Sequence, residues 1–129
     1  MRRIVVSVQN GLLAEAITGM LNDSGEFRPF RILVGSKKTA VADNCEMLSA
    51  DILLAEVSYA VGTTVETRLR EVKEVRARTP DCKIVLLCDE NSAPDIAREV
   101  TLAKKDGLID NFFYSSVTAK YLLAALVAL

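Results

Sequence analysis

Three short runs in this chain are almost wholly apolar: Ile4 to Val8, Ile52 to Ala55, and Ile84 to Cys88. Side chains alternate across a β-strand, so a strand that is apolar at successive positions is apolar on both faces. Such strands need cover above and below. The segments between them supply it. Leu12, Leu13, Ala16, Ile17, Met20 and Leu21 recur at helical spacing before Asn22-Asp23-Ser24-Gly25, a stop signal. Val65, Leu69, Val72 and Val75 do the same before Thr79-Pro80, and Ile96, Val100 and Ala103 after Pro94. The spacing predicts weaker strands over 30–34 and 112–114, a helix over 39–48, and a last helix over 119–129 capped by Thr118. Strands alternating with helices predict an α/β fold: a five-stranded parallel sheet with helices on both faces.

The 129 residues fit one domain, 1–129, and half of them are hydrophobic, enough for a core. A net charge of −1 argues against the concentrated basic face that nucleic acid requires. The chain has no histidine, which removes the commonest general base and metal ligand. Cys45, Cys82 and Cys88 lie in or beside apolar segments and read as small buried hydrophobes in a reducing compartment. The apolar run after Met1-Arg2-Arg3 is too short for a signal peptide, and no run approaches the roughly 18 residues of a membrane span. These features fit a cytoplasmic protein.

The most informative string is Asp51-Ile52-Leu53-Leu54-Ala55-Glu56. It delivers an acidic residue to the carboxyl end of a buried strand, where open α/β sheets bind ligands. Other candidate signals are weaker. Gly35-Ser36-Lys37-Lys38-Thr39 has the tail of a phosphate-binding loop, but Phe30 stands where its first glycine belongs. Asp89 and Glu90 read as loop acids. Arg68, Arg70, Lys73, Arg76 and Arg78 alternate with Glu66, Glu71 and Glu74 and read as a solvated helix face, with Glu66–Arg70 and Glu74–Arg78 at the favourable i,i+4 spacing.

Four strings in this order resemble the receiver domain of two-component response regulators, over essentially the whole chain. Leu12-Leu13-Ala14-Glu15-Ala16-Ile17-Thr18-Gly19-Met20-Leu21 is similar to the first helix of the nitrate-response subfamily. Asp51 to Glu56 is similar to the strand ending in the phosphoacceptor Asp. Lys83-Ile84-Val85-Leu86-Leu87-Cys88 is similar to the strand ending in Thr or Ser, and Asp110-Asn111-Phe112-Phe113-Tyr114-Ser115 to the one ending in the pocket Lys. The resemblance implies a (βα)5 flavodoxin-like fold. It also implies a site in which two acids and the acceptor Asp hold Mg²⁺, while the hydroxyl and the Lys bind the phosphoryl group.

Carried onto this chain, every position departs from that pattern. The acidic pair falls on Val8 and Gln9, the acceptor on Glu56, the hydroxyl on Cys88 and the Lys on Ser115. The expectation is therefore a degenerate pseudo-receiver: no metal, no cofactor, no catalysis, and signalling through protein–protein contacts. Glu56 is either a solvated strand-end carboxylate or a fixed negative charge that mimics the phosphorylated state. Tyr114 is the candidate switch aromatic, with its coupling to Cys88 in doubt.

The last helix is apolar outward as well as inward, which predicts a homodimer surface of Tyr121, Leu122, Leu126 and Leu129. Leu129 ends this sequence in mid-helix with no cap and no DNA-binding output domain within it, which fits either a stand-alone regulator or a fragment of a longer transcription factor. A partner is then an output domain or another signalling protein, with no membrane and no direct nucleic-acid contact. Two alternatives stay open: an atypical phosphoreceiver in a phosphorelay controlling transcription, and a flavodoxin-like ligand-binding domain or enzyme.

Overall fold

The computed structural model describes residues 1–33, 40–88 and 94–129. Five strands, β1 (Arg2–Ser7), β2 (Phe27–Arg31), β3 (Ile52–Val57), β4 (Lys83–Cys88) and β5 (Asn111–Tyr114), each precede a helix. The helices are α1 (Gly11–Ser24), α2 (Ala40–Met47), α3 (Val65–Arg78), α4 (Pro94–Lys105) and α5 (Ala119–Val127). All neighbouring strands are parallel, in the order β2-β1-β3-β4-β5. The order reverses at β1 and β3, which creates a crevice at their carboxyl ends.

The three apolar runs become β1, β3 and β4, and period-two alternation divides them between two cores. Ile4, Val6, Val8, Ile52, Leu54, Val85 and Leu87 pack with α1 and α5. Val5, Leu53, Ala55, Val57, Ile84, Leu86 and Cys88 pack with α2, α3 and α4. Local signals end the helices where the sequence places them. The Asn10 side chain accepts from Leu13 N, Thr64 from Thr67 N and Thr118 from Tyr121 N, each satisfying an otherwise orphaned helix amide. Gly25 closes α1 in the left-handed region at φ 71°, as a helix-terminating glycine does.

Two expectations are corrected. The second strand runs over Phe27–Arg31, earlier than 30–34. Pro29 weakens the sequence signal, since it has no amide to donate. An edge strand tolerates it because one side of its ladder is unpaired, and Phe27, fully buried on the α1 side, anchors the register. The last helix is not left without a cap. Arg2, at the start of β1, donates from Nη1 to Leu129 O (2.8 Å) and from Nη2 to Val127 O (2.8 Å) and Leu126 O (3.3 Å). A cation there satisfies free carbonyls and opposes the helix dipole. Among the described residues no helix is long and apolar enough to cross a membrane.

Candidate functional site

Strand register brings the positions singled out in the sequence to one edge of the sheet. Ser7 pairs with Ala55, Glu56 with Leu87, Val57 with Cys88 and Cys88 with Tyr114. Val8, Gln9, Glu56, Cys88 and Ser115 therefore all lie at carboxyl ends of strands. Each of them has a definite local role there.

Val8 is buried in the core beneath α1 and α5, so the first acid position is a packing residue. Gln9 is exposed, and its backbone amide donates to Glu56 Oε1 at 3.0 Å. The Glu56 carboxylate is thus tied to the loop between β1 and α1. Cys88 is buried, and loss of solvent pushes its thiol up to about 11, so it stays protonated at neutral pH. Ser115 turns back onto the same strand: its amide donates to Cys88 O at 2.8 Å and its hydroxyl to the same oxygen at 3.2 Å. Among the described residues no three acids, histidines or cysteines cluster as a metal site would need. The donors present at these positions do not fit Mg²⁺, which binds through hard oxygens. Val8 offers no donor, Gln9 only an exposed amide, and Glu56 one carboxylate. The Gly35–Thr39 loop and the Asp89–Glu90 pair lie outside the described residues.

The structure adds a residue that the sequence reading placed wrongly. Arg68 is not part of a solvated face. Its side chain is 1% exposed and its guanidinium fills the space under the crevice. Nε donates to Glu56 O (2.7 Å), Nη2 to Ser7 O (2.8 Å), and Nη1 to Ser7 Oγ (2.9 Å) and Glu71 Oε1 (3.0 Å). One side chain thereby bridges the carboxyl ends of β1 and β3. It meets the Glu56 backbone carbonyl, whereas the Glu56 carboxylate meets the Gln9 amide. Burial pushes the Glu71 carboxyl up from its ordinary value, and the adjacent Arg68 charge opposes that rise. Two signals could have found the cluster. Arg68 shares the inward stripe of Val65, Val72 and Val75, and Ser7 is the one polar residue in the apolar run Ile4 to Val8, so it requires a buried partner.

The rest of that helix also differs from its reading. Arg78 crosses to α2, binding Asp43 (2.8 Å) and Glu46 (2.7 Å). Arg76 binds Asp110 at 3.1 Å, whose Oδ2 also accepts from Ile84 N at 2.7 Å. These cations serve packing between elements rather than the i,i+4 spacing. Tyr114 is exposed at the sheet edge and meets Phe112 edge-to-face at 6.1 Å. On α5, Leu122 and Leu126 are not surface residues: both are buried against the sheet and α1. Tyr121 and Val127 hold the outward face, and Leu129 is half-buried.

Replacing Arg68 with Met should cost about 3 kcal/mol, because Glu71 and two strand-end carbonyls would lose a buried charged donor. Urea denaturation of the variant should show a correspondingly lower midpoint. Cys88 generates a pH prediction. The unfolded thiol ionises from about 9.0 and the folded one only at about 11, so the folded state holds an extra proton between these values. Stability from this group should be full below pH 9 and fall as pH rises toward 11. The slope of stability against pH in that window should be shallower in Cys88→Ala.

No protein-family model matches the sequence, and no curated protein sequence is significantly similar. Solved structures do match. A DNA-binding response regulator of the LuxR family from Staphylococcus aureus superposes with a TM-score of 0.74 at 11% identity, covering 98% of this chain and 96% of that one. The signal receiver domain of the response regulator NarL from Mycobacterium tuberculosis gives 0.73 at 15% identity, covering 98% and 94%. The chemotaxis protein CheY4 from Vibrio cholerae gives 0.72 at 16% identity, covering 98% and 96%. Likeness over whole chains at such low identity is likeness of backbone architecture, and this chain has the (βα)5 receiver fold of response regulators.

Proposed function

We propose that this chain is a receiver-like signalling domain that works in the cytoplasm by contact with other proteins and takes no phosphoryl group of its own. One observation carries the reading. The positions that would bind metal and phosphate are engaged in holding the fold closed: Val8 in the core, Glu56 on the Gln9 amide, Cys88 buried and Ser115 on the Cys88 carbonyl. Phosphoryl transfer to a carboxylate depends on positioning and on neutralising charge. Here the acceptor position has neither a paired acid for Mg²⁺ nor a Lys at Ser115. Glu56 keeps one negative charge anchored where an acceptor would stand, which favours a single fixed state over a switch.

The contact face on which this reading rests includes α5. Its outward residues Tyr121 and Val127 are exposed, as is Leu12 on the adjoining α1. A cleft of about 150 Å³ lined by Leu13, Ala16, Met20, Val117 and Leu122 runs between the two helices. Exposed apolar surface of this kind marks an interaction site, and a second copy of the chain is its proposed occupant.

Incubation with Mg²⁺ and acetyl phosphate should leave the intact mass unchanged, and a phosphoryl adduct mapped to Glu56 would establish the atypical phosphoreceiver instead. Light scattering at tens of micromolar should give the mass of a dimer, reduced to that of a monomer by Tyr121→Glu. A wild-type monomer at that concentration would remove the homodimer.

A further inference from the structure

A groove of about 220 Å³ lies between α3 and the turn that joins α4 to β5, toward the amino ends of the strands and away from Glu56. It is lined by Leu69, Val72, Lys73, Arg76, Gly107 and Leu108. Leu69 and Val72 belong to the core that α2, α3 and α4 cover, and Leu108 is 37% exposed. Whatever enters the groove therefore meets an apolar floor. The wall opposite α3 is fixed by its backbone. Gly107 stands at φ 77°, in the left-handed region that favours glycine. Its amide donates to Lys104 O at 3.1 Å, while Leu108 N donates to Ala103 O at 2.9 Å. This pair of bonds ends α4 in a defined turn. Arg76 holds that turn from α3: Nη2 and Nε donate to Leu108 O (3.2 and 3.4 Å), and Nη2 also meets Asp110 Oδ2 (3.1 Å).

Both charged residues lining the groove are cations, and they differ. The Arg76 charge is answered by Asp110. Lys73, one turn earlier on the same wall, is exposed and has no ion pair or hydrogen bond among the described residues. Asp106 precedes Gly107 but does not line the groove. The rim thus carries one uncompensated positive charge beside an apolar floor. We infer that this groove docks an acidic linear segment of a partner protein, with one leucine-like side chain over Leu69, Val72 and Leu108 and a neighbouring carboxylate on Lys73. The volume fits a single side chain better than a whole small molecule, whose pockets take roughly 300–1,000 Å³. A preformed wall lowers the cost of ordering the site on binding, and the Lys73 charge selects the sign of the segment. The inference deepens the reading of the chain as a contact module. It uses a surface on the opposite side of the sheet from α1 and α5.

The test uses the whole chain and a fluorescein-labelled Asp-Glu-Leu-Leu-Glu-Asp peptide, read by fluorescence anisotropy at low salt. The expected result is saturable binding, with the amide NMR signals of Gly107 and Leu108 shifting on titration. Peptides with serine in place of leucine, or with asparagine and glutamine in place of the acids, should bind at least about tenfold more weakly. Lys73→Glu and Leu108→Ser, both changes at exposed side chains, should each weaken binding about tenfold. Lys120→Glu, the same charge change on α5, should leave it unaltered. No saturation by roughly 1 mM peptide, equal binding of the serine peptide, or equal weakening by Lys120→Glu would each overturn the proposal. So would a Lys73→Glu chain that binds as the wild type does. Self-association that Lys73→Glu alone abolishes would place a second copy in the groove instead. The acetyl phosphate and light-scattering results are read separately, so failure here is distinct from failure of the contact-module reading.

Discussion

Two-sided burial of the central strands is the constraint on which everything else in this molecule depends. β1, β3 and β4 are wholly apolar over Ile4–Val6, Ile52–Ala55 and Ile84–Cys88, so helices must cover both faces there and chemistry is pushed to the strand ends. The reversal of strand order between β1 and β3 then makes one of those ends a crevice. The same constraint explains why polar residues within the apolar runs carry so much information. Ser7 and Glu56 sit where the runs give way to the edge, and each is bonded into the structure rather than left to water.

Arg68 shows what the crevice has become. A buried guanidinium is costly unless its donors are matched, and here two strand-end carbonyls, a hydroxyl and the Glu71 carboxylate match them. The result is a cation built into the fold, holding β1 and β3 together from the α3 side. On the other side the Glu56 carboxylate is anchored by a backbone amide of the β1–α1 loop. Both interactions favour a rigid edge over one that rearranges around a ligand. This agrees with the proposed reading of the chain as a contact module.

Much of the architecture was legible in the sequence because it rests on local rules. The apolar runs, the cap at Thr118 and the stop at Gly25 depend on near neighbours only. So did the alignment of Val8, Gln9, Glu56, Cys88 and Ser115 at one edge, which follows from the order of elements. The misplacements share a cause. Arg68 was read by its charge, although it occupies the inward stripe of its helix. Leu122 and Leu126 were read as surface because α5 is apolar nearly all round, and a helix of that composition does not declare which stripe faces the sheet. The second strand was placed late because Pro29 argues against a strand until its edge position is known.

By itself the sequence determined the number, type and order of the elements, the parallel sheet, and which residue types stand at the strand ends, since these follow from periodicity and residue identity. Only the tertiary structure decided which groups meet across it: Arg68 with Ser7 and the Glu56 carbonyl, Arg2 with the end of α5, and Arg78 with α2. Those partners are far apart along the chain. Their pairing depends on helix rotation and packing depth, quantities fixed when the two cores close and not before.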